Sequence, residues 1–260
     1  MRADVYLVAY GHASSRKKAQ DLIDAGAVSI DGINIKKSSV SINEQIAHDV
    51  VIEQVFKYVS RGGMKLEAAL DAFSINVNGR YAVDIGASTG GFTDCLLKRG
   101  AASVVCVDSG VGQLHESLRG DSRVTCIERF NARMLDASVI GGERDVATCD
   151  VSFISQTYLI PQISSVLKPL GIFISLIKPQ FEAGKSALGK NGVVHSAAYR
   201  FLAVKRVLEC AEKNELDCMG LIRSPIEGGD GNKEYLAYFI KRPVLVPRID
   251  DKVIKRITSL

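Results

Sequence analysis

The chain has 260 residues, of which 47% are hydrophobic and 24% charged, with a net charge of +4. Such a composition excludes a disordered chain, because apolar surface is ample to offset chain entropy. No apolar run reaches the roughly 18–20 residues of a membrane span, and Met1-Arg2-Ala3-Asp4 opens no signal peptide, so the expected location is the cytoplasm.

At about 150 residues per domain the length suggests two domains. The first stretch has short elements and frequent turns. Val5-Tyr6-Leu7-Val8 opens a short helix. Ser14 and Ser15 then cap a second helix running to Ile23, and Gly26 suits its end. Val28–Ile30 and Ile33–Ile35 alternate as strands around Asp31-Gly32, a strong hairpin signal. Residues 57–64 read as a linker, with Gly62 and Gly63 giving it freedom, and a helix starts near Met64.

From Tyr81 onward strands and helices alternate, which predicts a mostly parallel sheet with helices on both faces. Strands are expected at 81–85, 103–107, 145–151, 171–177 and 235–240, and helices at 92–97, 161–167 and 198–213. The tail from Ile249 has apolar Val253, Ile254 and Ile257 between basic residues. It reads as an amphipathic helix packed on its own domain.

Chemistry concentrates at the ends of these strands. Asp84-Ile85-Gly86-Ala87-Ser88-Thr89-Gly90-Gly91-Phe92 forms a glycine-rich turn after the first strand, where open α/β sheets bind ligands. Its spacing is neither the dinucleotide fingerprint nor a phosphate loop, so a cofactor without pyrophosphate fits better. Asp108 ends the next strand, where a carboxylate can accept from two ribose hydroxyls. Together these suggest S-adenosylmethionine. Asp150 and Lys178 end two later strands, Glu234 precedes the last, and Lys65 opens the entering helix. A lysine after an apolar strand is costly to bury unless paired. Cys95, Cys106, Cys126, Cys149, Cys210 and Cys218 form no Cys-x-x-Cys pair, and the four histidines show no ligand spacing, so no metal is expected.

Arg2-Ala3-Asp4, Gly11-His12-Ala13-Ser14-Ser15-Arg16 and Val28-Ser29-Ile30-Asp31-Gly32 resemble an S4-like RNA-binding domain. Tyr58–Leu66, the glycine turn, Val107–Leu114 and Asp150-Val151-Ser152-Phe153-Ile154-Ser155 resemble the TlyA family, which joins such a domain to an FtsJ-like methyltransferase domain. The resemblance covers nearly the whole chain. It implies a Rossmann-like S-adenosylmethionine-dependent methyltransferase sheet (65–260) behind a small α+β S4-like domain (1–56). It also implies 2′-O-methylation of a cytidine in ribosomal RNA, within ribosomal subunits, by a monomer that needs no membrane. The chain begins close to the S4-like segment, which by analogy favours the large subunit. The implied catalytic set is Lys65, Asp150, Lys178 and Glu234, with cofactor contacts from Asp84, the Gly86–Gly91 turn with Phe92, and Asp108. Arg2, Arg16, Lys17, Lys18, Lys36, Lys37 and Arg61 are the expected RNA contacts, and Ser60–Gly63 is expected to couple RNA docking to the cofactor. A membrane-active hemolysin and a non-catalytic ribosome-binding factor are the alternatives.

Overall fold

The computed structural model describes residues 1–24, 26–52, 57–228, 231–242 and 250–259. The chain divides into two units, Met1–Lys57 and Tyr58–Leu260. Unit 1 contains α1 (Ala3–Ala9), α2 (Arg16–Asp24), β1 (Val28–Ile30), β2 (Ile33–Asn34) and β3 (Val50–Ile52). Its sheet has the order β2-β1-β3, all antiparallel. Asp31 and Gly32 both take positive φ, 52° and 76°, as a two-residue turn between right-twisted strands requires. Tyr6 and Leu7 of α1, Leu22 and Ile23 of α2, and Val28 and Ile30 of β1 share one buried core. β3 was not foreseen. It pairs with β1 across some twenty residues, and no local pattern announces such a partner.

Unit 2 contains α3 (Arg61–Ala72), β4 (Tyr81–Ile85), α4 (Gly91–Lys98), β5 (Ser103–Val107), α5 (Glu116–Arg119), β6 (Val124–Ile127) and β7 (Arg144–Cys149). It continues with α6 (Ile160–Ser165), β8 (Leu167–Ile177), α7 (Pro179–Glu182), α8 (Ala197–Lys213), β9 (Leu216–Arg223), β10 (Tyr235–Lys241) and α9 (Asp251–Ser259). The sheet order is β6-β5-β4-β7-β8-β10-β9. β4 to β8 run parallel, and β10 runs antiparallel to both its neighbours.

Strand periodicity of two builds the layers. Val83, Ile85, Ala147, Cys149, Phe173 and Phe239 face a core shared with α6 and α8. Ala82, Val104, Cys106, Val146, Ile174 and Leu236 face the opposite core, with Leu66 and Leu70 of α3 and Leu96 of α4. Ile254 of α9 joins the first of these cores, so the described part of the basic tail packs on its own unit. Residue 249, where the expected tail helix starts, lies outside the described residues. No helix among the described residues is long and apolar enough to cross a membrane.

The expected linker at 57–64 is corrected at its C-terminal half, because α3 begins at Arg61. Of its two glycines, Gly63 is required by close packing, while a Cβ on Gly62 would find ordinary contact at 3.5 Å. A Cβ on Gly63 would stand 2.3 Å from the Tyr58 ring, and one on Gly91 would stand 2.3 Å from Ser60 Oγ. The start of α3 therefore lies directly against the start of α4. β6 and β9 were also unforeseen; their burial mixes half-covered and exposed positions, which hides any clean alternation.

One backbone strain is isolated from any chemistry. Leu170 takes φ 62° within β8, where the register with β7 jumps from Arg144–Leu167 to Val146–Ile172. Its side chain is exposed, so little packing compensates the left-handed backbone. Leu170→Gly is expected to stabilise unit 2 by about 1 kcal/mol in denaturant unfolding.

Candidate active site

The strand order reverses at β4, whose neighbours β5 and β7 lead away to opposite edges. At such a switch point the connections leave in opposite directions and open a crevice beyond the carboxyl ends of the strands. A cavity of about 680 Å³ lies there, lined by Gly86, Ser88, Asp108, Ser109, Asp150, Ser152 and the apolar Val107, Phe130, Val151 and Ile154. Gly86, at φ 78°, lets the strand ends close up. A Cβ on it would lie 2.6 Å from the Asp150 carbonyl oxygen and 2.8 Å from Val151 Cγ1. Asp108 is aimed by two backbone donors, the Ser88 N–H to Oδ2 and the Gly110 N–H to Oδ1, each at 2.7 Å.

Two lysine–carboxylate pairs stand at the same sheet edge. Lys178 follows β8, and its Nζ lies 2.5 Å from Asp150 Oδ1 at the end of β7. The same Nζ donates to Ser152 Oγ at 3.0 Å. Tyr235 pairs with Ile177, so Glu234 and Lys178 leave their strands at neighbouring positions. Glu234 is 3% exposed and accepts from Lys65 Nζ at 2.5 Å. Pro179 ends β8 directly after Lys178 and opens α7. The loop that carries Asp150 and Ser152 is pinned from behind. Buried Glu182 accepts from Ser155 Oγ at 2.5 Å and from the Gln156 N–H at 2.8 Å. Burial holds the Glu182 carboxyl above its usual range.

An FtsJ-like methyltransferase model matches residues 58–241, and an S4 domain model matches residues 1–45. A Mycobacterium tuberculosis protein named 16S/23S rRNA (cytidine-2′-O)-methyltransferase TlyA is 44% identical over 237 residues, which is 91% of this chain and 88% of that one. The chain belongs to the TlyA family of FtsJ-like methyltransferases. A solved Streptococcus thermophilus structure carrying the name hemolysin shares 36% identity at TM-score 0.79, over 100% of this chain and 94% of the other. An S-adenosylmethionine-dependent methyltransferase from Mesorhizobium loti, at 16% identity and TM-score 0.50, covers 68% of this chain and 97% of its own, and shows the shared fold.

Within this TlyA-family chain the structure sorts the expected site residues. Lys65 meets Glu234, and Asp150 meets Lys178. Gly86, Ser88 and Asp108 line the cavity, whereas Ala87, Thr89, Gly90, Gly91 and Phe92 are not among its lining residues. Asp84 is corrected as a cofactor contact. It is fully buried beneath the turn, where Thr93 Oγ1 donates to Oδ2 at 2.7 Å and Thr148 Oγ1 donates to Oδ1 at 2.8 Å. Ser109, Phe130, Val151, Ser152, Phe153 and Ile154 line the cavity without having been singled out. Four of them lie in the Asp150–Ser155 segment, and the polar interruption of an apolar run there was the available signal. In unit 1, Arg2 precedes α1, Arg16, Lys17 and Lys18 form the first turn of α2, and Lys36 and Lys37 follow β2. Arg61 opens α3 in unit 2.

Burial pushes the Asp84 carboxyl up to about 6, against the two threonine hydrogen bonds and with a contribution from the Asp150 charge. The folded state thus holds a proton that the unfolded chain releases near 3.8. Stability from this group is present below pH 3.8 and is lost as pH rises to about 6. Asp84→Asn is therefore expected to gain on wild type between pH 4 and pH 7, by on the order of 2–3 kcal/mol in denaturant unfolding.

Proposed function

We propose that this chain transfers a methyl group from S-adenosylmethionine to the 2′-hydroxyl of a cytidine in ribosomal RNA. The observation that carries this reading is the Lys178–Asp150 pair at the edge of the cavity. A 44% identical relative named for that reaction supports it.

The residues present fit the cofactor. The cavity has the size of a nucleoside-cofactor site. Its apolar side chains Val107, Phe130, Val151 and Ile154 suit an adenine ring, and Asp108 retains acceptor capacity for ribose hydroxyls. Gly86 leaves room beside the Asp150 backbone that any side chain would fill. When bound, S-adenosylmethionine supplies a methyl group already activated by a positive sulfur, so positioning and proton handling remain for the protein.

A ribose hydroxyl is a poor nucleophile until its proton is taken or shared. Lys178 Nζ is the group placed to receive it. Nζ receives it as a free amine and becomes an ammonium, and the positive charge it gains is offset by the Asp150 carboxylate, whose Oδ1 lies 2.5 Å away. Ser152 Oγ accepts from the same amine at 3.0 Å and holds it from a second side. Lys65 and Glu234 neutralise each other at the adjoining strand end, so neither is left as a buried lone charge. Unit 1, matched by the S4 domain model, supplies phosphate contacts from Arg2, Arg16, Lys17, Lys18, Lys36 and Lys37, joined by Arg61 of unit 2. The reaction belongs in the cytoplasm, where ribosomal RNA is found.

Phe153 gives the target base a surface. It is 92% exposed, and its ring lies 5.2 Å from that of Phe181 just beyond Lys178. Its φ is 64°, a conformation costly for a bulky residue and found mostly where function requires it. A nucleobase stacked on this ring would bring its ribose to the Lys178 edge.

Lys178→Ala is expected to lower methyl transfer by at least about 100-fold, measured with labelled S-adenosylmethionine on purified large and small ribosomal subunits separately. Cofactor affinity by calorimetry should stay within a few fold. Single-turnover rates near wild type would remove Lys178 from the mechanism. Phe153→Gly should move two quantities in opposite directions. Relief of the positive φ raises stability by about 1 kcal/mol, while loss of the stacking face lowers kcat/KM on the subunit by about tenfold.

A further inference from the structure

Asp4 is completely buried in unit 1, yet two arginines from different helical segments meet on its carboxylate. Arg2 donates Nε to Oδ1 at 2.9 Å and Nη2 to Oδ2 at 3.3 Å, a side-on bidentate contact. Arg16 donates Nη2 to Oδ2 at 3.0 Å, and Gln20 donates Nε2 to the same oxygen at 2.8 Å. The arginine side chains nevertheless remain 49% and 59% exposed. Each guanidinium is thus held by one edge while much of the side chain stays in solvent.

The backbone around the cluster is equally fixed. Arg2 bridges to Ser41, the Ala3 N–H donates to the Val40 carbonyl at 2.8 Å, and the Asp4 N–H donates to the Ser38 carbonyl at 3.3 Å. The segment that follows Lys36 and Lys37 is therefore drawn to the start of α1. Exposed ion pairs contribute little stability, and a buried carboxylate is costly to desolvate. What the arrangement does achieve is to immobilise two long, flexible cations beforehand, so that less ordering remains when an anion binds. Guanidinium suits this use because its planar fork can hold a carboxylate on one edge and a phosphate on another.

We propose that Asp4 is a positioning residue for RNA, holding Arg2 and Arg16 together as one preformed phosphate-binding fork. This rests on the reading of unit 1 as the RNA-binding unit, and it does not depend on the chemistry at Lys178. It also reverses the sign expected from charge alone. Removing the Asp4 charge makes the surface more positive, which by simple attraction tightens binding to a polyanion.

The test is equilibrium binding of the full chain to deproteinised large-subunit ribosomal RNA at several salt concentrations. Asp4→Asn is expected to weaken binding by about tenfold despite the added positive charge. Arg2→Lys with Arg16→Lys, which keeps the charge and loses the forks, should weaken it comparably. In the Arg2→Gln, Arg16→Gln background the further change Asp4→Asn should alter affinity by less than about twofold. Binding by Asp4→Asn that equals or exceeds wild type overturns the proposal alone. An equal loss in the glutamine background also overturns it, since Asp4 then only supports the fold of unit 1. Wild-type binding that is absent or insensitive to salt removes the RNA-binding role of unit 1, and this proposal with it.

Discussion

A lysine ammonium is stable away from water only beside a carboxylate. The carboxyl edge of the large sheet is arranged around that constraint twice. Lys178 ends β8 between the ends of β7 and β10, and each of those neighbours contributes an acid, Asp150 and Glu234. Glu234 is in turn neutralised by Lys65 from α3. The register of three strands and the position of one helix are thereby tied to a single alternation of charge. Moving any strand by one residue would turn its acid to the other face of the sheet and leave a cation unpaired.

The same edge depends on how closely backbone segments approach. Gly86 admits the Asp150 carbonyl, and Gly63 and Gly91 let the starts of α3 and α4 meet. Beneath this packing Asp84 ties β4 to α4 and β7 through two threonine hydroxyls. Behind it Glu182, just after Lys178, caps the loop that follows Asp150. The lysine and its carboxylate are thus supported by a common buried network, and their separation is set by rigid neighbours.

Unit 1 solves a related problem with opposite polarity. A single buried carboxylate, Asp4, gathers two exposed arginines, where the sheet edge buries its lysines against acids. In both places a carboxylate orients cations. At the sheet edge the lysine side chains are almost wholly covered, whereas in unit 1 the arginine side chains stay about half exposed.

The alternation of apolar strands with amphipathic helices after Tyr81 was legible from the residues, because period two and period 3.6 are local properties. So were the Asp31-Gly32 hairpin and the charged residues that end β5, β7 and β8, since a charge after an apolar run is conspicuous. The family resemblance assigned those charges to one reaction. Only the tertiary structure decided which lysine meets which acid, because the partners lie far apart in the chain and are joined by strand order. It alone showed that Asp84 supports the turn from beneath, that the glycines at 62–63 belong to a tightly packed helix start, and that β3, β6 and β9 complete the sheets. It alone revealed Phe153 as an exposed ring on a strained backbone. Burial and pairing are properties of three-dimensional neighbours, and no local pattern of residues encodes them.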